Sequence, residues 1–172
     1  MKRYIRLLPV MLFPYVYLIF LAAAAFLTMS IGEWGLAVVA VFIIAALVCS
    51  VCSAVFTARG ESTAYEAAKM NLIVKCVQIP AYIFHFLLGA AGTVMSVWGI
   101  GIIMFVVIID VITIVLTGIN AVGCVVRICR ENVIGRGMAV LMGICLFLFC
   151  VDVGAAVFLF VKTGRSRQYQ MY

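Results

Sequence analysis

Between Leu7 and Met29 the chain runs 23 residues without a charged side chain. A helix of that length is about 35 Å long, enough to cross the roughly 30 Å hydrocarbon core of a bilayer. Four further apolar runs, bounded by charge or glycine, cover residues 35–56, 71–89, 94–116 and 138–161. Each is close to the roughly 20 residues a membrane helix needs. The pattern predicts an all-α integral membrane protein, a single transmembrane domain over residues 1–172 built as a bundle of about five helices spanning 7–29, 35–56, 71–89, 94–116 and 138–161. Composition agrees: 68% of residues are hydrophobic and 10% charged, against about 45–50% and about 25% in soluble domains.

The formal net charge of +6 does not point to nucleic acid. Lys and Arg sit in short clusters between apolar runs, the pattern of cytoplasmic membrane loops, so anionic lipid headgroups are the expected counter-charge. Lys2, Arg3 and Arg6 precede the first run, Arg59 and Lys69 follow the second, and Arg127, Arg130 and Arg136 follow the fourth. The "SIGEWG" and "GAAGT" connections carry no Lys or Arg. This alternation predicts a cytoplasmic N-terminus. Five spans leave Lys162, Arg165 and Arg167 on the outer side, against the rule; four would keep that tail inside but expel the segment from Arg127 to Arg136. The basic start resembles a secretory signal, but its apolar run is too long for a signal core and reads as an uncleaved first helix.

Polar residues interrupt the third and fourth runs at helical spacing. At 100° per residue, Asn71, Lys75, Gln78, Tyr82 and His85 share one face, as do Asp110, Thr113, Thr117, Asn120 and Cys124. With "GAAGT" as the turn of an antiparallel hairpin, counting outwards from Ala91 brings Lys75 within a turn of Asp110 and predicts an ion pair. Asp152 lies at the expected height of His85 and predicts a second. A charge at the centre of a span costs about 2.5 to 3.5 kcal/mol on insertion scales, so such groups face the bundle and pair. Two readings stand: the network glues helices together, or it lines a pathway for a proton, ion or small ligand.

No Gly-rich phosphate loop, HExxH helix or serine nucleophile motif occurs, so neither a catalytic centre nor a cofactor is expected. The seven cysteines fall mostly in apolar runs. Cys49 and Cys52 of "CSVC" have the spacing of thiol oxidoreductases and metal sites, but no His or acidic residue accompanies them, so no metal site is expected and thiol-redox chemistry is a minor alternative. Glycines at 99, 101, 118, 123, 143 and 154 mark positions where helix backbones could approach closely.

The runs "MNLIVKCVQIPAYIFHFLLG" and "GICLFLFCVDVGAAVFLFVK" resemble segments of a family of small, functionally uncharacterised multi-span membrane proteins of Gram-positive bacteria, over residues 70–162. The resemblance implies a bacterial plasma-membrane location and no particular activity. The expected function is that of a non-enzymatic interaction, accessory or immunity-type membrane subunit, partnered by a second copy or another membrane protein. The alternative is a small oligomeric permease or proton-coupled carrier using Lys75, Gln78, His85, Asp110 and Asp152.

Overall fold

The computed structural model describes residues 2–26 and 33–169. Six helices follow one another: α1 (Lys2–Phe26), α2 (Glu33–Arg59), α3 (Ala64–Val94), α4 (Val97–Arg130), α5 (Arg136–Cys145) and α6 (Val151–Tyr169). No strand occurs among the described residues. Three stretches, Ala37–Arg59, Ala64–Val94 and Gly99–Arg130, are long and apolar enough to cross a membrane. The last three residues of the expected first span, 27–29, lie outside the described residues. Large apolar side chains remain exposed on α2 (Val38, Val41, Ile44, Val48) and α4 (Ile100, Met104, Val107, Val111), surface that a soluble monomer rarely leaves bare.

Residues 89–93, the "GAAGT" expected to turn, instead lie within the last turns of α3, which runs to Val94, and the reversal falls at Met95 and Ser96. Ser96 adopts φ 56° and ψ −135°, a backbone state that favours glycine. Thr93 Oγ1 donates back to Ala90 O at 2.6 Å, within the helix. Beyond the turn the helices touch backbone to backbone: a Cβ added at Gly99 would lie 1.6 Å from Gly92 O. Further along α4, Gly123 lies under the Ala54 backbone of α2 and Gly118 under the Phe147 ring, whereas Gly101, Gly143 and Gly154 face open space. Close approach thus explains half of the glycines singled out by spacing.

The expected continuous fifth span, 138–161, is broken. Its hydropathy is unbroken and residues 146–150, "LFLFC", include neither glycine nor proline, yet α5 ends at Cys145 and α6 begins at Val151. Tight bonds replace the helical ladder: Phe147 N donates to Ile144 O at 3.0 Å and Leu148 N to Cys145 O at 3.2 Å. Cys150 takes φ 64°. Tertiary contacts hold the break, with Leu146 fully buried, Phe147 seated over Gly118 and Phe149 edge-on to Tyr82 at 5.3 Å between ring centroids.

After the break the chain turns back. Ala155 and Leu159 of α6 join one core with Ala64, Ala67 and Ala68 at the start of α3, Ile128 near the end of α4, and Ile134. Farther on, Phe160 stacks near Tyr65 and the Arg167 guanidinium lies 5.1 Å from the same ring. The last helix therefore ends where α3 begins. Arg6 of α1 reaches this end as well, 3.1 Å from Glu61 and 4.6 Å from the Phe56 ring centroid. Arg6, Arg127, Arg130, Arg136 and Arg167 all gather at one pole, and the α3–α4 turn forms the other.

At the basic pole the loop between α2 and α3 is pinned by capping. Thr63 and Glu66 form a capping box at the start of α3, which satisfies two backbone donors that a helix start leaves open. Arg130 donates to Ala58 O at 2.6 Å, closing an orphan carbonyl of α2, and Arg127 Nε donates to Ser62 O at 2.8 Å. Glu131 completes the clamp, accepting from Ala64 N at 3.0 Å and pairing with Arg127 at 2.6 Å.

Candidate functional site

The polar stripe of α3 faces α4 and the start of α6, where most of its members are withdrawn from the surface. Lys75, Gln78, His85, Thr113, Thr117, Asn120 and Asp152 are all buried, and Tyr82 is half-buried. Lys75 Nζ donates to Asp152 Oδ2 at 2.6 Å and to Thr117 Oγ1 at 2.7 Å. Three helices meet at this ammonium. Thr117 passes the contact on by donating to Thr113 O at 3.0 Å, while Asp152 Oδ1 accepts from Val153 N at 2.8 Å in the first turn of α6. A carboxylate there is favoured by the positive end of the helix dipole.

The second pair joins His85 Nδ1 to Asp110 Oδ1 at 2.6 Å. Both expected pairs therefore form from the expected residues with exchanged partners: Lys75 holds Asp152, not Asp110, and His85 holds Asp110, not Asp152. The cause is the position of the turn. Moving it from Ala91 to Met95 and Ser96 slides α4 relative to α3 by about two and a half helical turns, so that Gly92 faces Gly99 and Lys75 faces Thr117. Asp110 moves from the level of Lys75 to within about a turn of His85. The return of α6 then delivers Asp152 to the position that Asp110 vacates.

Gln78 reaches a third element, with Nε2 donating to Val10 O of α1 at 3.4 Å. That carbonyl is open because its normal helical donor would be the N–H of residue 14, and Pro14 has none. Tyr15 of α1 donates to Val77 O one turn before Pro80. Ser50 of α2 donates to Leu116 O of α4. Tyr15 and Ser50 lie outside the expected network; the sequence signal for Tyr15 is its place beside Pro14, and that for Ser50 is the short polar stripe it forms with Ser53 and Thr57, at i+3 and i+7 on the same helical face.

Other members make no cross-helix hydrogen bond among the described residues. Thr113 Oγ1 donates to Ile109 O of its own helix at 2.8 Å. Asn71, fully buried, has neither amide atom bonded among the described residues, and the same holds for Gln78 Oε1 and the Tyr82 hydroxyl. Cys49 is half-buried and Cys52 exposed on α2, both as free thiols.

Chemically, the Lys75–Asp152 pair holds two full charges at essentially zero exposure. Desolvating such ions costs several kcal/mol each, and only close geometry with further hydrogen bonds offsets it. Thr117 and the Val153 amide supply those further bonds. No protein-family model, curated protein or solved structure matches the chain.

Proposed function

We propose that the chain is a small multi-pass protein of the bacterial plasma membrane, acting as a non-enzymatic accessory or immunity-type subunit through contacts within the bilayer. Its topology is four crossings, α1 to α4, followed by a re-entrant hairpin of α5 and α6. The gathering of basic side chains at one pole supports this reading. With that pole in the cytoplasm, the N-terminus, both basic loops and the tail obey the positive-inside rule together, which neither a five-span nor a plain four-span arrangement achieves.

The carrying observation for a structural network is the closed coordination of Lys75 by Asp152 and Thr117 across α3, α4 and α6. It latches the re-entrant hairpin to the bundle. Purified protein in proteoliposomes loaded with a pH-sensitive dye tests the reading: vesicles should hold an imposed proton gradient as tightly as protein-free ones. Flux that disappears in Asp152→Asn would sink the structural assignment.

A second reading, a proton-coupled carrier, is favoured by the buried polar atoms of Asn71, Gln78 and Tyr82 that have no bond among the described residues. Buried polar groups in proteins are normally satisfied, often by ordered water. Water along this face would connect the two ion pairs. The same vesicles decide it, since this reading requires wild-type flux that Asp110→Asn abolishes.

A further inference from the structure

A groove of about 690 Å³ lies between the last turns of α4 and the first turns of α5. Its deeper walls are apolar, formed by Val122 and Val126 on one side and by Val140 and Gly143 on the other. Arg130 and Arg136 stand at its mouth, flanking the connection between the two helices. From Val122 to Arg130 the groove changes from hydrocarbon-like to cationic over about 12 Å of helix. A lipid molecule has the same gradient over a similar distance.

Among the described residues, no carboxylate pairs with either arginine at the mouth. Arg127 is paired with Glu131, but among the described residues Arg130 meets only the neutral Ala58 carbonyl. Arg136 is exposed and has no ion pair or hydrogen bond among the described residues. Deeper in, a Cβ added at Gly143 would find nothing within 4 Å.

We propose that this groove binds one anionic glycerophospholipid, its phosphate between Arg130 and Arg136 and an acyl chain along Val122, Val126, Val140 and Gly143. The proposal rests on the membrane reading above. A zwitterionic lipid would set its own cation against two arginines, and a free phosphate would leave the apolar walls unused. Basic pockets between membrane helices on the cytoplasmic side suit acidic headgroups for this reason. The re-entrant course of α5 is what creates the groove, because it stops short of the far side.

The test is native mass spectrometry of the detergent-solubilised protein after exchange into mixed micelles of phosphatidylglycerol and phosphatidylcholine. Retained phosphatidylcholine reports general lipid association, and therefore the membrane reading; the ratio of the two lipids reports the site. Wild type should retain a single phosphatidylglycerol in preference to phosphatidylcholine. Arg136→Gln should lower that preference about fivefold and Arg130→Gln/Arg136→Gln about 25-fold, one factor of five per arginine. Gly143→Leu, which fills the apolar end and leaves both arginines, should also lose the bound lipid, whereas Arg165→Gln, at the same pole outside the groove, should not. Arg130→Gln loosens the α2 contact, so Arg136→Gln and Gly143→Leu decide the question. Equal retention of the two lipids by wild type, unchanged retention in both of those variants, or displacement by millimolar inorganic phosphate would each overturn the proposal.

Discussion

Replacing Lys75 with methionine keeps most of the side-chain volume but removes the ammonium that binds Asp152 and Thr117. Asp152 then stays buried, 1% exposed, with the Val153 amide as the remaining hydrogen bond to its carboxylate among the described residues. Uncompensated buried charges of this kind cost about 3–5 kcal/mol. Asp152→Leu should cost a similar amount by stranding the ammonium on Thr117. Lys75→Met/Asp152→Leu removes both charges and should return to within about 1 kcal/mol of wild type, because replacing a buried pair by apolar groups is often neutral or stabilising. Reversible unfolding in mixed dodecylmaltoside and dodecylsulfate micelles, followed by circular dichroism, measures all three. Partner identity is checked by Lys75→Met/Asp110→Leu, which should be worse than either single change. If that cross-pair recovers as well as the direct pair, or if the direct double variant is as unstable as the single ones, the assignment of Lys75 to Asp152 is wrong.

Gln78→Leu should cost about 0.6 to 1.7 kcal/mol, the range for interhelical hydrogen bonds in membranes. That penalty should vanish in a Pro14→Ala background, where residue 14 supplies the missing N–H to Val10 O; equal penalties in both backgrounds would exclude Pro14 as the cause. Gly99→Ala should destabilise by about 1–3 kcal/mol because its Cβ overlaps Gly92 O, while Gly101→Ala, in open space, should be neutral or stabilising by up to about 1 kcal/mol; the same unfolding assay separates them. Ser96→Gly should stabilise by about 1 kcal/mol through relief of its positive φ. For the re-entrant topology, in a background with native cysteines replaced, single cysteines at positions 135 and 168 should react with an impermeant maleimide from the same side of oriented vesicles, and one at position 95 from the opposite side.

The helical character and the polar faces were legible because they depend on local periodicity. Runs of about 20 apolar residues have few alternatives to helix, and the spacing of Lys75, Gln78 and His85 fixes their common face whatever that face meets. Which residues lie opposite depends instead on where the hairpin turns. "GAAGT" has the composition of a turn, yet its second glycine serves close approach: Gly92 takes the backbone of α4 at Gly99, and residues 89–93 stay in a helix that ends at Val94. A displacement of a few residues at the turn counts twice in the register of the two strands of a hairpin. The result is two ion pairs with their partners exchanged.

The break in the fifth apolar run escapes the sequence for a different physical reason. Hydropathy registers that residues 138–161 prefer hydrocarbon or core, and does not distinguish a helix that crosses from two that fold back. No proline or glycine in "LFLFC" marks the reversal, and its cause lies in distant residues: the space over Gly118 that accepts Phe147, the Tyr82 ring that meets Phe149, and above all Lys75, whose charge requires a carboxylate at its own depth. A continuous helix entering at Arg136 would carry Asp152 past that depth, since Asp152 lies 16 residues, or about 24 Å, beyond the helix start, whereas Lys75 lies 11 residues, about 17 Å, from the start of α3 at the same pole. Folding back after Cys145 brings Asp152 to the ammonium and returns Lys162, Arg165 and Arg167 towards the other basic clusters. The tail that contradicted five spans by its charge was therefore the one sequence signal of the reversal, and it reads correctly only when the demand of Lys75 for a counter-charge is set beside it.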